Sequence, residues 1–346
     1  MLRLKAISRQ FILTNFTSST STKQTFVKAA NMSTSAVDTT GFKYNHTMIR
    51  IKDPKISVPF YEKNFGMKLY GKYSFKGFGF DIYYLGIESA VPAGTPWYKR
   101  EGLLELTHNY GTENDESYTL NNGNKEPHRG FGHICFSVDN ITVACTRLED
   151  NGVKFQKKLT DGRQKDIAFA LDPDGYWIEL ISNKSIEPKA ETTDITKYKY
   201  NHSMIRVKDI KASLKFYQEV LGMKLIRTLE FPEAKFSLYF LGYSDTPNEE
   251  DHSNREALLE LTHNWGTEND PDFKYHNGND APQGYGHIGL TVPDVPKAMA
   301  EFEAAGVSIK KRVTDGKMNF IGFILDPDNY WIEILPDQDL PEIKWD

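Results

Sequence analysis

Two cysteines in 346 residues are too few for a disulfide framework, which excludes a small stapled secreted scaffold. Cys135 and Cys145 both fall in segments that read as folded, and neither has a basic neighbour arranged to activate it, so both are expected to be reduced, unreactive thiols. Long apolar runs are missing too, and without about twenty consecutive apolar residues no helix crosses a bilayer. Basic excess is absent: 42 Lys and Arg stand against 47 Asp and Glu, a net charge of -5, and no basic block interleaved with aromatics tracks a phosphate backbone. Nucleic acid is therefore an unexpected partner, and so is a membrane. No Gly-rich phosphate loop of either common type occurs, which argues against a doubly wound nucleotide fold. A last absence is local. The first 37 residues hold five Lys or Arg and many Ser and Thr but no Asp or Glu, the composition of a mitochondrial transit peptide. Met32 opens MSTSAV, a second start for a shorter product. The expectation is a targeting or disordered segment over 1–40 with mitochondrial and cytoplasmic forms, which N-terminal sequencing of each pool checks.

What is present is a repeat. GLLELTHNYGTEND at 102–115 returns as ALLELTHNWGTEND at 257–270 with two of fourteen positions changed. YNHTMIRIKD at 44–53 returns as YNHSMIRVKD at 200–209, and LDPDGYWIEL at 171–180 as LDPDNYWIEI at 325–334. Two homologous domains, 41–183 and 199–346, are thus joined by a polar linker over 184–198 with one Pro. About seventeen extended residues around it, at roughly 3.3 Å each, reach about 55 Å, enough for the halves to dock face to face.

Each half reads twice as strand, helix, then strands. HTMIRI is a short alternating strand, and DPKISVPFYEKNFG a helix ending at Gly66. Pro59 conflicts with a start at Asp53, so the reading places the N-cap at Ser57, with Pro59 in the first turn. The expected fold is α+β: four βαβββ modules in two tandem domains, forming paired, curved mixed sheets.

Glutamates inside apolar strands need an explanation. Alternation puts Leu103, Glu105 and Thr107 on one strand face, and Trp177, Glu179 and Ile181 on another. A carboxylate among such neighbours is costly unless paired, hydrogen-bonded or bound to a metal. His46 lies early in the strand HTMIRI and His133 early in GHICFSV, and the same quartet recurs as His202, Glu260, His287 and Glu333. A lone strand His is more often a satisfied core residue, and duplication copies neutral features, but a repeated quartet favours a metal site. Nitrogen and oxygen donors without sulfur suit zinc, nickel, cobalt, manganese or ferrous iron. His108 and His263 face away from Glu105 and Glu260, and His128, His252 and His276 sit in polar loops, so these five are left out.

The motifs NHTMIRIKDP, LELTHNYGTE, NNGNKEPHRGFGHICF and DPDGYWIEL closely resemble the glyoxalase I family of the vicinal oxygen chelate superfamily, over 42–337 and twice. The chain is most similar to the fused, two-domain fungal form. That resemblance implies two metal sites, each shared between the halves: His46 and Glu105 with His287 and Glu333, and His202 and Glu260 with His133 and Glu179. Many single-domain members carry Gln where His46 and His202 stand, a departure expected to alter metal affinity more than mechanism. The resemblance further implies one zinc per site, with nickel or cobalt as alternatives, and a monomer holding an internal pseudo-dimer. It implies isomerisation of the hemithioacetal of methylglyoxal and glutathione to S-lactoylglutathione through an enediolate stabilised by the cation. Glu333 and Glu179 would be the bases, and Glu105 and Glu260 would serve the opposite substrate enantiomer. Glutathione contacts carried over in the same way are Arg50, Asn109, Lys311 and Met318 for the first site, and Arg206, Asn264, Arg129 and Lys157 for the second. Arg129 has Gln283 as its counterpart, and Met318 has Gln164, so the second site is expected to hold glutathione more tightly, which two single-site knockouts would test. Two other readings share the scaffold: an extradiol dioxygenase with ferrous iron on two His and one carboxylate, and a metal-free drug-binding protein, which would need no quartet.

Overall fold

In the computed structural model the described residues are 37–162, 164–188, 191–243 and 251–341; most of the expected targeting segment lies outside them. The first half runs β1 (Lys43–Ile51), α1 (Pro54–Phe65), β2 (Met67–Phe75), β3 (Phe80–Ile87), β4 (Leu103–Asn109), then β5 (Phe131–Val138), α2 (Ile141–Asp150), β6 (Phe155–Lys157), β7 (Ile167–Leu171) and β8 (Trp177–Ser182). The second half repeats it as β9 (Lys199–Val207), α3 (Ile210–Lys215), β10 (Lys224–Phe231), β11 (Phe236–Gly242), β12 (Leu258–Asn264), then β13 (Tyr285–Val292), α4 (Val295–Ala304), β14 (Ile309–Lys311), β15 (Gly322–Leu325) and β16 (Trp331–Pro336). These are the four βαβββ modules expected from the repeats.

Neither half owns a sheet. One eight-stranded mixed sheet is ordered β14-β15-β16-β13-β1-β4-β3-β2 and the other β10-β11-β12-β9-β5-β8-β7-β6, so each combines the first module of one half with the second module of the other. The seams are the antiparallel pairs β1 with β13 and β5 with β9. Leu104 and Leu106 of β4 and Ile332 and Ile334 of β16 enter the main hydrophobic core, which leaves Glu105 and Glu333 for the opposite face.

A one-residue irregularity in β1 decides what His46 does. Tyr44 pairs with Leu290 and His46 with Gly289, two residues against one, so a bulge at Asn45 sends Tyr44 into the core and His46 to the other face. Tyr200 and His202 in β9 repeat it against Phe136 and Cys135.

The start of α1 corrects the sequence reading. Asp53 is the N-cap, its carboxylate accepting from Lys55 N at 2.8 Å, and Pro54 occupies the first helical position. Ser57 is not a cap; it lies inside the helix and donates to Asp174 Oδ2 at 2.9 Å. Pro59 is tolerated in the interior because it and Lys55 are exposed, where water can take the carbonyl that the missing N–H would have bonded.

Candidate metal centre

Across the β1–β13 seam, His46 and Glu105 of the first half meet His287 and Glu333 of the second, with one ligand atom from each within 4.8 Å of all the others. His46 Nε2 lies 3.2 Å from Glu105 Oε2, 3.3 Å from Glu333 Oε2 and 3.2 Å from His287 Nε2. His287 Nε2 is 3.5 Å from Glu333 Oε2 and 4.0 Å from Glu105 Oε2. The second centre repeats this: His202 Nε2 is 3.1 Å from Glu260, 3.2 Å from Glu179 and 3.2 Å from His133 Nε2, and His133 lies 3.4 Å from Glu179 and 3.9 Å from Glu260. All eight side chains are buried.

These separations fit four donors around one ion. Donors held about 2.1 Å from a metal lie about 3.0 to 3.4 Å apart when adjacent and about 4.2 Å apart when opposite. Chemistry agrees with distance. Asn45 Nδ2 donates to the carbonyls of Trp97 and Arg100 at 3.0 and 2.8 Å, which turns its Oδ1 toward His46 Nδ1 at 2.8 Å. The ring proton is thereby fixed on Nδ1, and the Nε2 lone pair faces the centre. Asn201 does the same for His202, with Nδ2 on the His252 and Arg255 carbonyls and Oδ1 at 2.7 Å from Nδ1. Thr107 and Thr262 donate to Glu105 and Glu260 at 2.8 Å and orient them. Glu333 Oε2 is buried without a hydrogen-bond partner, an orphan that a cation would satisfy. Burial raises the Glu333 carboxyl, and positive charge at the centre, carried by His287 and His46 when they are protonated, holds it below its ordinary range; a bound cation would supply that charge with the Nε2 lone pairs free. Glu179 is depressed in the same way, with burial outweighed by His133 and His202.

Above the first centre is a cavity of about 250 Å³ whose walls include Arg50, Asn109 and Met318 together with Glu105, His287 and Glu333. Arg50 reaches across the seam: Nη1 donates to the Gly284 and Tyr285 carbonyls at 3.2 and 3.1 Å, and Nη2 to Asn279 Oδ1 at 2.9 Å. Arg206 is held alike by the carbonyls of Gly123, Gly130 and Phe131 and by Asn124 Oδ1. Arg129 adds its charge beside Arg206, while pairing with Glu126 at 3.3 Å. Lys311 turns to the Met318 and Ile321 carbonyls at 2.7 and 2.9 Å, and Lys157 to those of Gln164 and Ile167 at 2.7 and 2.6 Å, so both tie down the loop that edges their site. Asn264 donates to the Tyr275 hydroxyl at 2.9 Å. The histidines left out of the quartets are bonded elsewhere: His108 and His263 to Glu113 and Glu268, and His252 to Arg227. His128 and His276 lie edge to face. Both cysteines are free and buried, and burial raises both thiols, that of Cys145 to about 12. The residues that sequence reasoning passed over are Asn45, Asn201, Asn124 and Asn279. They stand in stretches repeated in both halves, YNH and NGN, but repetition alone gave them no role.

A profile described as the glyoxalase/bleomycin resistance protein/dioxygenase superfamily matches residues 43–180 and again 199–334. The chain is 51% identical over 305 residues to a lactoylglutathione lyase of Schizosaccharomyces pombe, covering 87% of this chain and 98% of that one. It is 51% identical over 300 residues to glyoxalase I of Saccharomyces cerevisiae, covering 84% and 91%. The crystal structure of glyoxalase I from Zea mays superimposes with a TM-score of 0.64 at 27% identity, over 86% of this chain and 92% of that one. The chain belongs to the glyoxalase superfamily and, within it, to the lactoylglutathione lyases, the glyoxalase I enzymes.

Proposed function

We propose that each quartet holds one divalent cation, zinc first with nickel or cobalt as alternatives, and that both sites isomerise the methylglyoxal–glutathione hemithioacetal to S-lactoylglutathione. The observation that carries this is Glu333 Oε2: a buried carboxyl oxygen with no hydrogen-bond partner, facing two imidazole nitrogens at 3.3 and 3.5 Å. When bound, the cation supplies the positive charge that stabilises an enediolate. The chain's residues do the rest. Glu333 takes the proton from the carbon bearing sulfur and returns it to the adjacent carbonyl carbon, while the hydroxyl proton passes to the other oxygen. Glu105, on the far side of the same centre, handles the opposite enantiomer; Glu179 and Glu260 take the matching roles in the second site. Arg50 with Asn109, and Arg206 with Asn264 and Arg129, face glutathione's carboxylates, which a guanidinium can grip with two parallel hydrogen bonds. The test is to strip the protein with chelator, return zinc, and follow thioester formation from methylglyoxal and glutathione. Activity is expected to rise until two metals are bound per chain. Two bound metals without thioester would overturn the substrate assignment and favour oxygen-dependent chemistry.

A further inference from the structure

The two quartets match closely, but the walls above them do not. Over the first centre, Tyr84 stacks flat on Trp97 at 4.1 Å with 5° between the rings. Trp97 Nε1 donates to the Tyr73 hydroxyl at 2.7 Å, and that hydroxyl donates in turn to Asp339. The last bond ties down the C-terminal segment, which Lys99 also holds through Asp337 at 2.6 Å, and places Leu340 in the cavity wall. Met318 and Phe320, both half-buried, close the wall from the loop between β14 and β15, and the whole forms a separate apolar cluster. Gly71 leaves room for that stack, since a Cβ would stand 3.0 Å from the Trp97 ring, closer than ordinary contact.

The second centre keeps apolar rings on its histidines, Phe240 on His202 and Phe169 on His133, but is polar at the positions that surround them. Phe240 faces Glu260 where Tyr84 faces Glu105, and His252 replaces Trp97 against that ring at 4.8 Å. Arg227 stands at the Gly71 position, opposite Phe240, and bonds His252 at 2.9 Å. Gln164 and Asp166 replace Met318 and Phe320, and both are exposed. The cavity over the first centre, about 250 Å³, exceeds the roughly 150 Å³ that admits a benzene ring into an apolar void.

Building on the function proposed above, we infer that the two sites divide 2-oxoaldehydes by side chain: the first takes adducts with an aryl or branched apolar group, and the second takes adducts with a small or polar one. The determinants are Tyr84 with Trp97, Met318, Phe320 and Leu340 on one side, and His252, Arg227, Gln164 and Asp166 on the other. Each methylene buried in an apolar pocket discriminates by about tenfold or more, so a phenyl ring against a methyl group gives a measurable gap.

The test uses the metal-loaded full chain with one site silenced: Glu179→Gln leaves the first site working, and Glu333→Gln the second. For each, kcat/KM is measured with the glutathione adducts of phenylglyoxal and methylglyoxal. The phenyl-to-methyl ratio is expected to be at least about tenfold higher in Glu179→Gln. Adding Phe320→Asp and Met318→Gln should bring it down toward the Glu333→Gln value. Equal ratios in the two single-site enzymes overturn the division. A native chain that makes no thioester from either adduct defeats the parent reading instead. Calorimetry with S-benzylglutathione and S-methylglutathione then still decides the walls: two classes of site for the benzyl ligand, the tighter lost with Phe320→Asp, support the division, and one class for both ligands, or no binding, overturns it.

Discussion

The imidazole of His46 can offer Nε2 to a cation only while its ring proton sits on Nδ1, and Asn45 Oδ1 at 2.8 Å keeps it there. Asn45 is itself fixed by two backbone carbonyls, so the orientation of this proposed metal ligand is traced to the Trp97–Arg100 turn rather than to another titratable group. Removing such a support typically weakens metal binding by about 10- to 100-fold. Asn45→Ala is therefore expected to lower zinc affinity at one of two sites by that factor, leaving the other unchanged, as read by competition with a chromophoric chelator; Asn45→Asp keeps the acceptor but loses the donor that two carbonyls hold in place, and should not recover it. A chain that still binds two zincs with native affinity would remove Asn45 from this role. The quartets were legible because a carboxylate between apolar strand neighbours is a chemical anomaly, and it occurs twice. Asn45 was not, since an amide in a strand carries no such anomaly and its meaning appears only when its partners are placed.

Elements add constraints that alternation does not reveal. A bulge shifts register by one residue, and nothing in YNHTMIRI marks Asn45 as the extra one; the sequence pattern supported the strand but not the face on which His46 would emerge. The turn before β8 is clearer. Asp172 Oδ1 accepts from the Asp174 and Tyr176 amides at 2.9 and 2.8 Å, and Oδ2 accepts from Tyr61 of α1 at 2.8 Å, so one carboxyl ties helix to turn. Asp326 repeats it with Tyr217 at 2.9 Å. Burial first, then the neighbouring Asp174 or Asp328 charge, raises each carboxyl to about 7. A folded value above the unfolded one means that the stabilisation is complete below about pH 4 and is lost as pH rises through 7. His252 works in the other direction: burial, then the Arg227 charge, lowers it to about 4, so its contribution is complete above about pH 6.5 and lost as pH falls through 4. The window from pH 6.5 to 8 lies above His252 and holds the two aspartates together with Glu256, which burial also raises to about 7, so the Asp172 share is read from its own variant. There each should lose on the order of 1 kcal/mol. Urea unfolding of chelator-treated protein is expected to show a smaller drop across this window in Asp172→Asn than in the unsubstituted chain. An unchanged slope would mean that Asp172 is already ionised in the fold at pH 6.5.

At the scale of the whole molecule, the seam makes a statement that strand patterns cannot make, because the alternation in β1 and β13 is the same whether a module pairs within its own half or across. The resemblance to fused family members supplied the crossed pairing, and the observed sheet orders show it. Buried hydroxyls lie between the halves: Thr47 and Ser203 meet at 2.7 Å and are bonded to Tyr44 and Tyr200, next in the chain to His46 and His202. Crossed pairing has a consequence for double variants. His46→Ala with Glu333→Gln changes both halves but only the first centre, so one complete quartet remains and activity on the order of half the native level is expected. His46→Ala with Glu179→Gln changes only the first half but damages both centres, and should lower activity on the order of a hundredfold or more. Pairing within a half, with His46, Glu105, His133 and Glu179 around one ion, requires the reverse ranking. Both variants share the His46 change and one carboxylate-to-amide change, so a general loss of stability would lower them together. Steady-state rates at saturating zinc, compared between the two, then report which side chains surround which ion.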